Sequence, residues 1–233
     1  MRKVVLATPA YGHQVDAYYH HSVVATVKLC ARNDIDVVPL TWPGEALIQH
    51  ARNQLTRLAL DVPQASDIFW IDADQEWQPE WFLRLLQHPV AVVGAAYPKK
   101  GDKEEYTVRV HNGTIQVDRS LGLWQVDSLG TGFLRIRRDA LQKVWDSSEP
   151  YEAWNDSSRM LFDVQLLDGR LWSEDTIFCA KLIDAGYRIY LDPAFTVGHN
   201  GYKRYSGDFY SYVVAQAKRN GEESLGEVPA STG

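Results

Sequence analysis

Asp67-Ile68-Phe69-Trp70-Ile71-Asp72-Ala73-Asp74 is the stretch that decides how this chain folds. Its apolar, aromatic middle is short and is followed by Gln75-Glu76-Trp77-Gln78-Pro79, so it predicts a buried strand. Two carboxylates one residue apart at the end of such a strand cannot both be desolvated without partners. A divalent cation offsets that cost, and hard oxygen ligands suit Mg2+ or Mn2+. Such ions often share their shell with substrate phosphates. Asp72 and Asp74 therefore point to a metal–diphosphate site at the mouth of an α/β sheet. The plainer alternative is a solvated turn with an Asp near the cap of a helix that starts at Pro79.

Working outward, Val4-Val5-Leu6-Ala7-Thr8 predicts a buried strand that ends at Pro9-Ala10-Tyr11-Gly12. A helix is expected from about Ala17 to Arg32 and a second strand over Ile35-Asp36-Val37-Val38-Pro39-Leu40. The next helix, from about Gly44 to Leu60, has Leu47, Ile48, Ala51, Leu55 and Leu58 on one stripe and Gln49, Arg52, Asn53 and Arg57 on its other face. After the Asp67–Ile71 strand come a helix over Pro79–Gln87 and a strand over Val90–Gly94. This βαβαβαβ order implies a mostly parallel sheet with helices on both faces. Ligands of such sheets bind beyond the carboxyl ends of the strands. Thr8-Pro9-Ala10-Tyr11, Asp72-Ala73-Asp74 and Ala95-Ala96-Tyr97-Pro98 are thus expected on one rim.

The second half changes character. Tyr106–Val110 and Thr114–Val117 flank His111-Asn112-Gly113, and Asn-Gly between alternating strands predicts a β-hairpin. Strand-like pieces follow at Trp124–Asp127 and Gly132–Ile136, around Gly130-Thr131-Gly132, and then a helix over Arg138–Trp145. Residues 147–170 are polar, aromatic and poorly periodic, which predicts an ordered loop or flap. Ser173-Glu174-Asp175 opens a helix, with Ser173 as N-cap, two acids in the first turn and Gly186 as C-cap. A strand over Tyr187–Leu191 is expected to stop at Asp192-Pro193. One domain is expected over 1–217, and a disordered tail over 218–233.

Composition bounds the function. Of 233 residues, 45% are apolar and 23% charged, the balance of an ordinary globular protein. No run is long enough to span a membrane, and the start does not read as a signal peptide. Cys30 and Cys179 have no metal-type spacing and are expected as reduced, buried thiols, which suits a cytoplasmic setting. Two sequons, at Asn112 and Asn155, then carry no weight. A net charge of −6 argues against a broad grip on a phosphate backbone but leaves room for a local basic groove.

The motifs together resemble a known family. Asp72-Ala73-Asp74 resembles the DxD motif of GT-A glycosyltransferases, Ser173-Glu174-Asp175 their later acidic motif, and Gly198-His199-Asn200-Gly201 the late His of metal-dependent members. With Ala51-Arg52-Asn53, Ala96-Tyr97-Pro98-Lys99-Lys100 and Gly130-Thr131-Gly132-Phe133, the set is most similar to family-2-like glycosyltransferases of phages and large viruses. The resemblance covers roughly residues 3–205 and implies a GT-A (Rossmann-like) sheet with an acceptor-side half.

It also implies roles. Asp74 would be the main ligand of a Mn2+ or Mg2+ ion, with Asp72 beside it on the metal or the ribose and His199 as a third ligand. Pro9, Tyr11, Arg52 and Lys99 would lie on the nucleotide, most often UDP in this fold, and Gly130, Thr131 and Gly132 against the donor sugar or acceptor. Asp175 would be the general base of an inverting transfer, with Glu174 as the alternate and Trp172 as an acceptor platform. Lys100, Lys203 and Arg204 are further candidates for phosphate contact, and Asp36 for the base. The acceptor would be a hydroxymethylpyrimidine in phage DNA or a glycan; Arg135, Arg137, Arg138, Lys143, Lys203 and Arg204 would form a basic lip for DNA. Against each role stands a bland one: cap, surface His, salt-bridged helix face or tight turn. Two other functions fit the same pattern. One is a nucleotidyltransferase of sugar phosphates, although the chain lacks the usual Gly-rich basic loop after its first strand; the other is a non-catalytic nucleotide-sugar binding module.

Overall fold

The computed structural model describes residues 1–110, 115–153 and 156–220. The first half runs β1 (Arg2–Ala10), α1 (Ala17–Arg32), β2 (Ile35–Pro43), α2 (Ile48–Asp61), β3 (Ala65–Ile71), β4 (Gln75–Glu76), α3 (Pro79–Gln87) and β5 (Val92–Ala96). There follow β6 (Val108–Arg109), β7 (Gln116–Asp118), β8 (Leu123–Val126), β9 (Ser128–Leu129), β10 (Phe133–Arg137) and α4 (Arg138–Ser147). The last part comprises β11 (Pro150–Ala153), β12 (Asp156–Arg159), β13 (Gln165–Leu167), β14 (Arg170–Trp172), α5 (Glu174–Asp184), β15 (Ile189–Thr196), β16 (Gly198–Asn200), β17 (Arg204–Tyr205) and α6 (Phe209–Asn220).

Eight of these strands form one sheet in the order β2-β1-β3-β10-β5-β15-β8-β7. β1 is parallel to β2 and β3, and β15 is parallel to β5. β10 runs antiparallel between β3 and β5, and β8 and β7 close one edge as an antiparallel hairpin. This is the mixed α/β architecture with a mostly parallel core that the resemblance implied. Alternation along β1 explains the two layers of core. Val5 and Ala7 join Leu55 of α2, Leu141 of α4, Phe178 of α5 and Phe209 of α6 on one face. Val4 and Leu6 join Cys30 of α1 and Phe82 of α3 on the other.

Several expectations are corrected. The strands flanking His111-Asn112-Gly113 take other partners: β6 pairs with β9 and β7 with β8. The Asn112-Gly113 turn itself, like both sequons, lies outside the described residues. α2 starts at Ile48 rather than near Gly44. Residues 147–170 are not a loop: they hold the β11–β12 hairpin and β13, and Leu161 and Phe162 between them are fully buried. Asp192-Pro193 does not end its strand: Arg84 pairs with the buried Asp192 carboxylate, His88 hydrogen-bonds it, and β15 continues through an irregularity to Thr196. α6 runs through Asn220, past the expected start of the tail, and the rest of the tail lies outside the described residues. Among the described residues no helix is long and apolar enough to cross a membrane. Cys30 and Cys179 are buried and unbridged.

Candidate active site

The turn Asp72-Ala73-Asp74 follows β3, and the main chain pins it from several sides. Asp72 N–H donates to Gly132 O (3.1 Å), Asp16 N–H to Ala73 O (2.8 Å), Asn200 N–H to Asp74 O (2.8 Å) and Gln75 N–H to Asp72 O (3.1 Å). The turn thus ties the N-terminus of α1, the start of β10 and β16 to one rim, and both carboxylates are presented on a rigid support.

The polar face of α2 turns out to be buried, and it is what reaches this rim. Asn53 accepts from the Leu161 and Phe162 amides (3.1 and 2.8 Å) and donates to Phe162 O (3.0 Å), which clamps the 161–162 segment. Its neighbour Arg52 lies over the rings of Trp70 (5.9 Å) and Phe162 (5.8 Å). Its Nη2 donates to Asp72 Oδ1 at 2.8 Å and its Nε lies 3.9 Å from Glu174 Oε1. Arg52 Nε and Nη1 are buried with no hydrogen-bond partner. Burial opposes the guanidinium charge, but Asp72, then Asp175 and Glu174, outweigh it and push the pKa up.

Glu174 and Asp175 stand in the first turn of α5, where the helix N-terminus favours acids. Ser173 holds the cap position without capping: its hydroxyl meets Thr176 Oγ1 at 3.1 Å instead of a backbone amide. Thr131 Oγ1 donates a short hydrogen bond to Asp175 Oδ1. Burial, reinforced by Glu174 and Asp72, pushes the Asp175 carboxyl up to about 6, against the pull of Arg52 and the Thr131 bond. Gly130 and Gly132 bracket that threonine for a steric reason. A Cβ on Gly130 would collide with the Tyr97 hydroxyl, and one on Gly132 would lie 2.8 Å from Tyr97 Cζ and 2.9 Å from Asp72 Oδ2. Tyr97 is buried, accepts from the Gly132 amide at 3.0 Å, and is held protonated first by burial and then by Asp175 and Asp72.

Asp74 faces other partners. Lys100 Nζ lies 2.5 Å from its Oδ2 and His199 Nε2 3.4 Å from its Oδ1. His199 Nδ1 donates to Pro98 O at 2.8 Å, which aims Nε2 at Asp74. Burial would raise the Asp74 carboxyl, but His199 and Lys100 hold it below the usual range. Among the described residues no three His, Cys, Asp or Glu side chains gather as a metal cluster. Asp74 and His199 converge, whereas Asp72 is turned to Arg52. Two protein ligands still fit a hard cation that takes the rest of its shell from phosphates and water. Asp74 Oδ1, buried without a hydrogen bond, is the atom left for it.

Two clefts flank the rim. One of about 570 Å³ is lined by Pro9, Tyr11, Asp72, Asp74 and Lys100, with Tyr11 77% exposed at its mouth. The other, about 240 Å³, is lined by Lys99, Arg109, Gly130, Ser173 and Asp175. Lys99 therefore stands at the Asp175 cleft, paired with Glu105 at 3.3 Å, and it is Lys100 that reaches the Asp74 cleft. Trp172 lies beside the smaller cleft with Arg109 stacked 4.8 Å over its ring. Asp36 pairs in register with Lys3, at the end of the sheet away from the rim, and does not serve the base. The basic lip does not form either. Arg135 is buried against main-chain carbonyls, Arg137 pairs with Asp139, Arg138 binds the carbonyls of Leu60 and Val62, and Lys143 binds Ala185 O. Lys203 and Arg204 pair with Asp102 and Glu76. The packing of Tyr97 against Gly130 and Gly132 escaped the sequence reading; the signal for it was a Gly-x-Gly that needs a bulky neighbour.

No family model matches the chain, and no curated protein matches it. Among solved structures the fold is similar to A197 from STIV, with a TM-score of 0.49 and 16% identity over 86% of each chain. It is also similar to S. aureus TarS 1–349, with a TM-score of 0.46 and 13% identity over 97% of this chain and 67% of that one.

Proposed function

We propose that this protein is a GT-A glycosyltransferase that moves a sugar from a nucleotide sugar to an acceptor hydroxyl. One observation carries the reading. A single buried guanidinium, Arg52, ties Asp72 of the DxD turn to the Glu174-Asp175 pair, and Asp175 opens into the neighbouring cleft. In this reading the larger cleft takes the donor, a UDP-sugar, with Pro9 and Tyr11 on the nucleoside. Asp175 receives the acceptor proton as the hydroxyl attacks the anomeric carbon from the face opposite the diphosphate, so that configuration inverts. A carboxylate raised to about 6 is ionised at neutral pH yet basic enough for the task. Thr131 orients it, Arg52 holds the surrounding negative charge together, and Gly130 and Gly132 leave room for Tyr97 beside it. A Mn2+ or Mg2+ ion held by Asp74 and His199 would neutralise the departing diphosphate. Without a basic lip, and with a net charge of −6, a glycan is a better supported acceptor than hydroxymethylpyrimidine in phage DNA.

A donor screen with Mn2+, reading free UDP or GDP against simple glycans and hydroxymethylpyrimidine DNA, tests this. Asp175→Asn is expected to lower transfer about 10²- to 10⁴-fold while sparing donor binding. Donor binding with no transfer or hydrolysis from any nucleotide sugar would instead mark a binding module. Synthesis of a nucleotide sugar from a sugar phosphate would mark a nucleotidyltransferase.

A further inference from the structure

The Asp74 cleft already contains a cation. Lys100, in the loop after β5, places its ammonium 2.5 Å from Asp74 Oδ2, while His199 faces Oδ1 at 3.4 Å. Its stem is cradled: a Cβ on Gly201 would lie 3.2 Å from Lys100 Cδ and 3.4 Å from Cε. Gly201 is not in the left-handed region, so room for the lysine stem, not backbone conformation, explains a glycine there. Lys100 also lines the donor-side cleft together with Asp72 and Asp74, unlike its neighbour Lys99. A divalent ion at the unpaired Oδ1 would stand beside the ammonium on Oδ2 of the same carboxylate, and like charges that close repel where solvent is partly excluded. The flexible four-carbon stem and compact charge of lysine suit it to move between a carboxylate and a phosphate a few ångströms away.

We propose that Lys100 is a diphosphate-binding residue that shares Asp74 with the metal. It holds the Asp74 carboxylate while the cleft is empty and passes to the donor diphosphate when Asp74 turns to the metal. Metal and nucleotide binding are thereby coupled through one side chain. This rests on the donor-site reading above.

The test uses full-length wild type, Lys100→Met and Gly201→Val. Mn2+ affinity is read by electron paramagnetic resonance without nucleotide, and UDP affinity by calorimetry in EDTA and in Mn2+. Lys100→Met is expected to bind Mn2+ about tenfold more tightly without nucleotide and UDP about tenfold more weakly in EDTA. Gly201→Val keeps the charge but displaces the stem, and should shift both affinities in the same directions by less. If Lys100→Met leaves both affinities at the wild-type values while UDP binds, Lys100 is only a surface ion pair and the proposal falls. If the wild type binds neither UDP nor GDP even with Mn2+, the donor-site reading falls with it.

Discussion

Arg52 and Arg135 are two buried arginines on opposite faces of one sheet, 2% and 1% exposed, and they are used differently. Arg135, on β10, donates to Leu85 O (3.2 and 3.0 Å), Val90 O (2.6 Å) and His88 O (2.6 Å), and lies 3.6 Å from Asp67, which Arg2 also binds. Every nitrogen of its guanidinium has an acceptor. Burial pushes its pKa down to about 10, with only Asp67 pulling the other way. Arg52 makes one hydrogen bond, leaves Nε and Nη1 unpaired, and faces three carboxylates at the rim. Since buried polar groups are normally satisfied, the saturated arginine belongs to the scaffold and the unsaturated one to a site built for something more.

The comparison can be broken by experiment. Arg135→Met should be the most costly change. It strips several carbonyls and the Asp67 charge of a partner and is expected to cost about 3–5 kcal/mol of stability by chemical denaturation. Arg52→Met should lower stability less but cut transfer about 100-fold. Equal losses of stability in the two variants would dissolve the distinction. The pH profile sharpens it further. Asp175 must be ionised to act, so kcat/KM should rise with pH through about 6 in the wild type. Arg52 holds that carboxyl down, so Arg52→Met should move the limb to higher pH. A limb that stays in place would mean that Asp175 is not the group observed. Gly130→Ala should cost about 1–3 kcal/mol by overpacking against Tyr97. Tyr97→Phe in the same chain should recover part of that loss by removing the struck hydroxyl. The smallest effect is expected at Ser173→Ala, below about 0.5 kcal/mol, because its hydroxyl caps no backbone amide.

Much of the scaffold was legible because its signals are local. The spans of α1 and α3 match their periodicity and, for α3, a proline at the first turn. β1 and β3 were unbroken apolar runs, and the acid pairs Asp72/Asp74 and Glu174/Asp175 marked a strand end and a helix start. What was missed depends on distant partners. Nothing near Phe133–Arg137 says that this strand slips between β3 and β5 in the reverse direction. Arg52 read as a nucleotide contact or a salt-bridged helix face, but nothing in the sequence placed it and Asn53 under Trp70, Phe162 and the amides of 161–162. Arg135 read as surface charge for the same reason: carbonyls some 45–50 positions away satisfy it. Asp192-Pro193 read as a stop because Arg84 and His88, which hold the Asp192 carboxylate, stand on another helix and its flank.

Residue order and side-chain chemistry alone were enough to set the layered α/β class and to put two acid pairs at element ends, since hydrophobic period and helix capping act over a few residues. Which acid meets which partner was decided only on folding. Arg52 took Asp72, Lys100 and His199 took Asp74, and Thr131 took Asp175, because desolvated charge must pair with whatever the packed elements bring within reach.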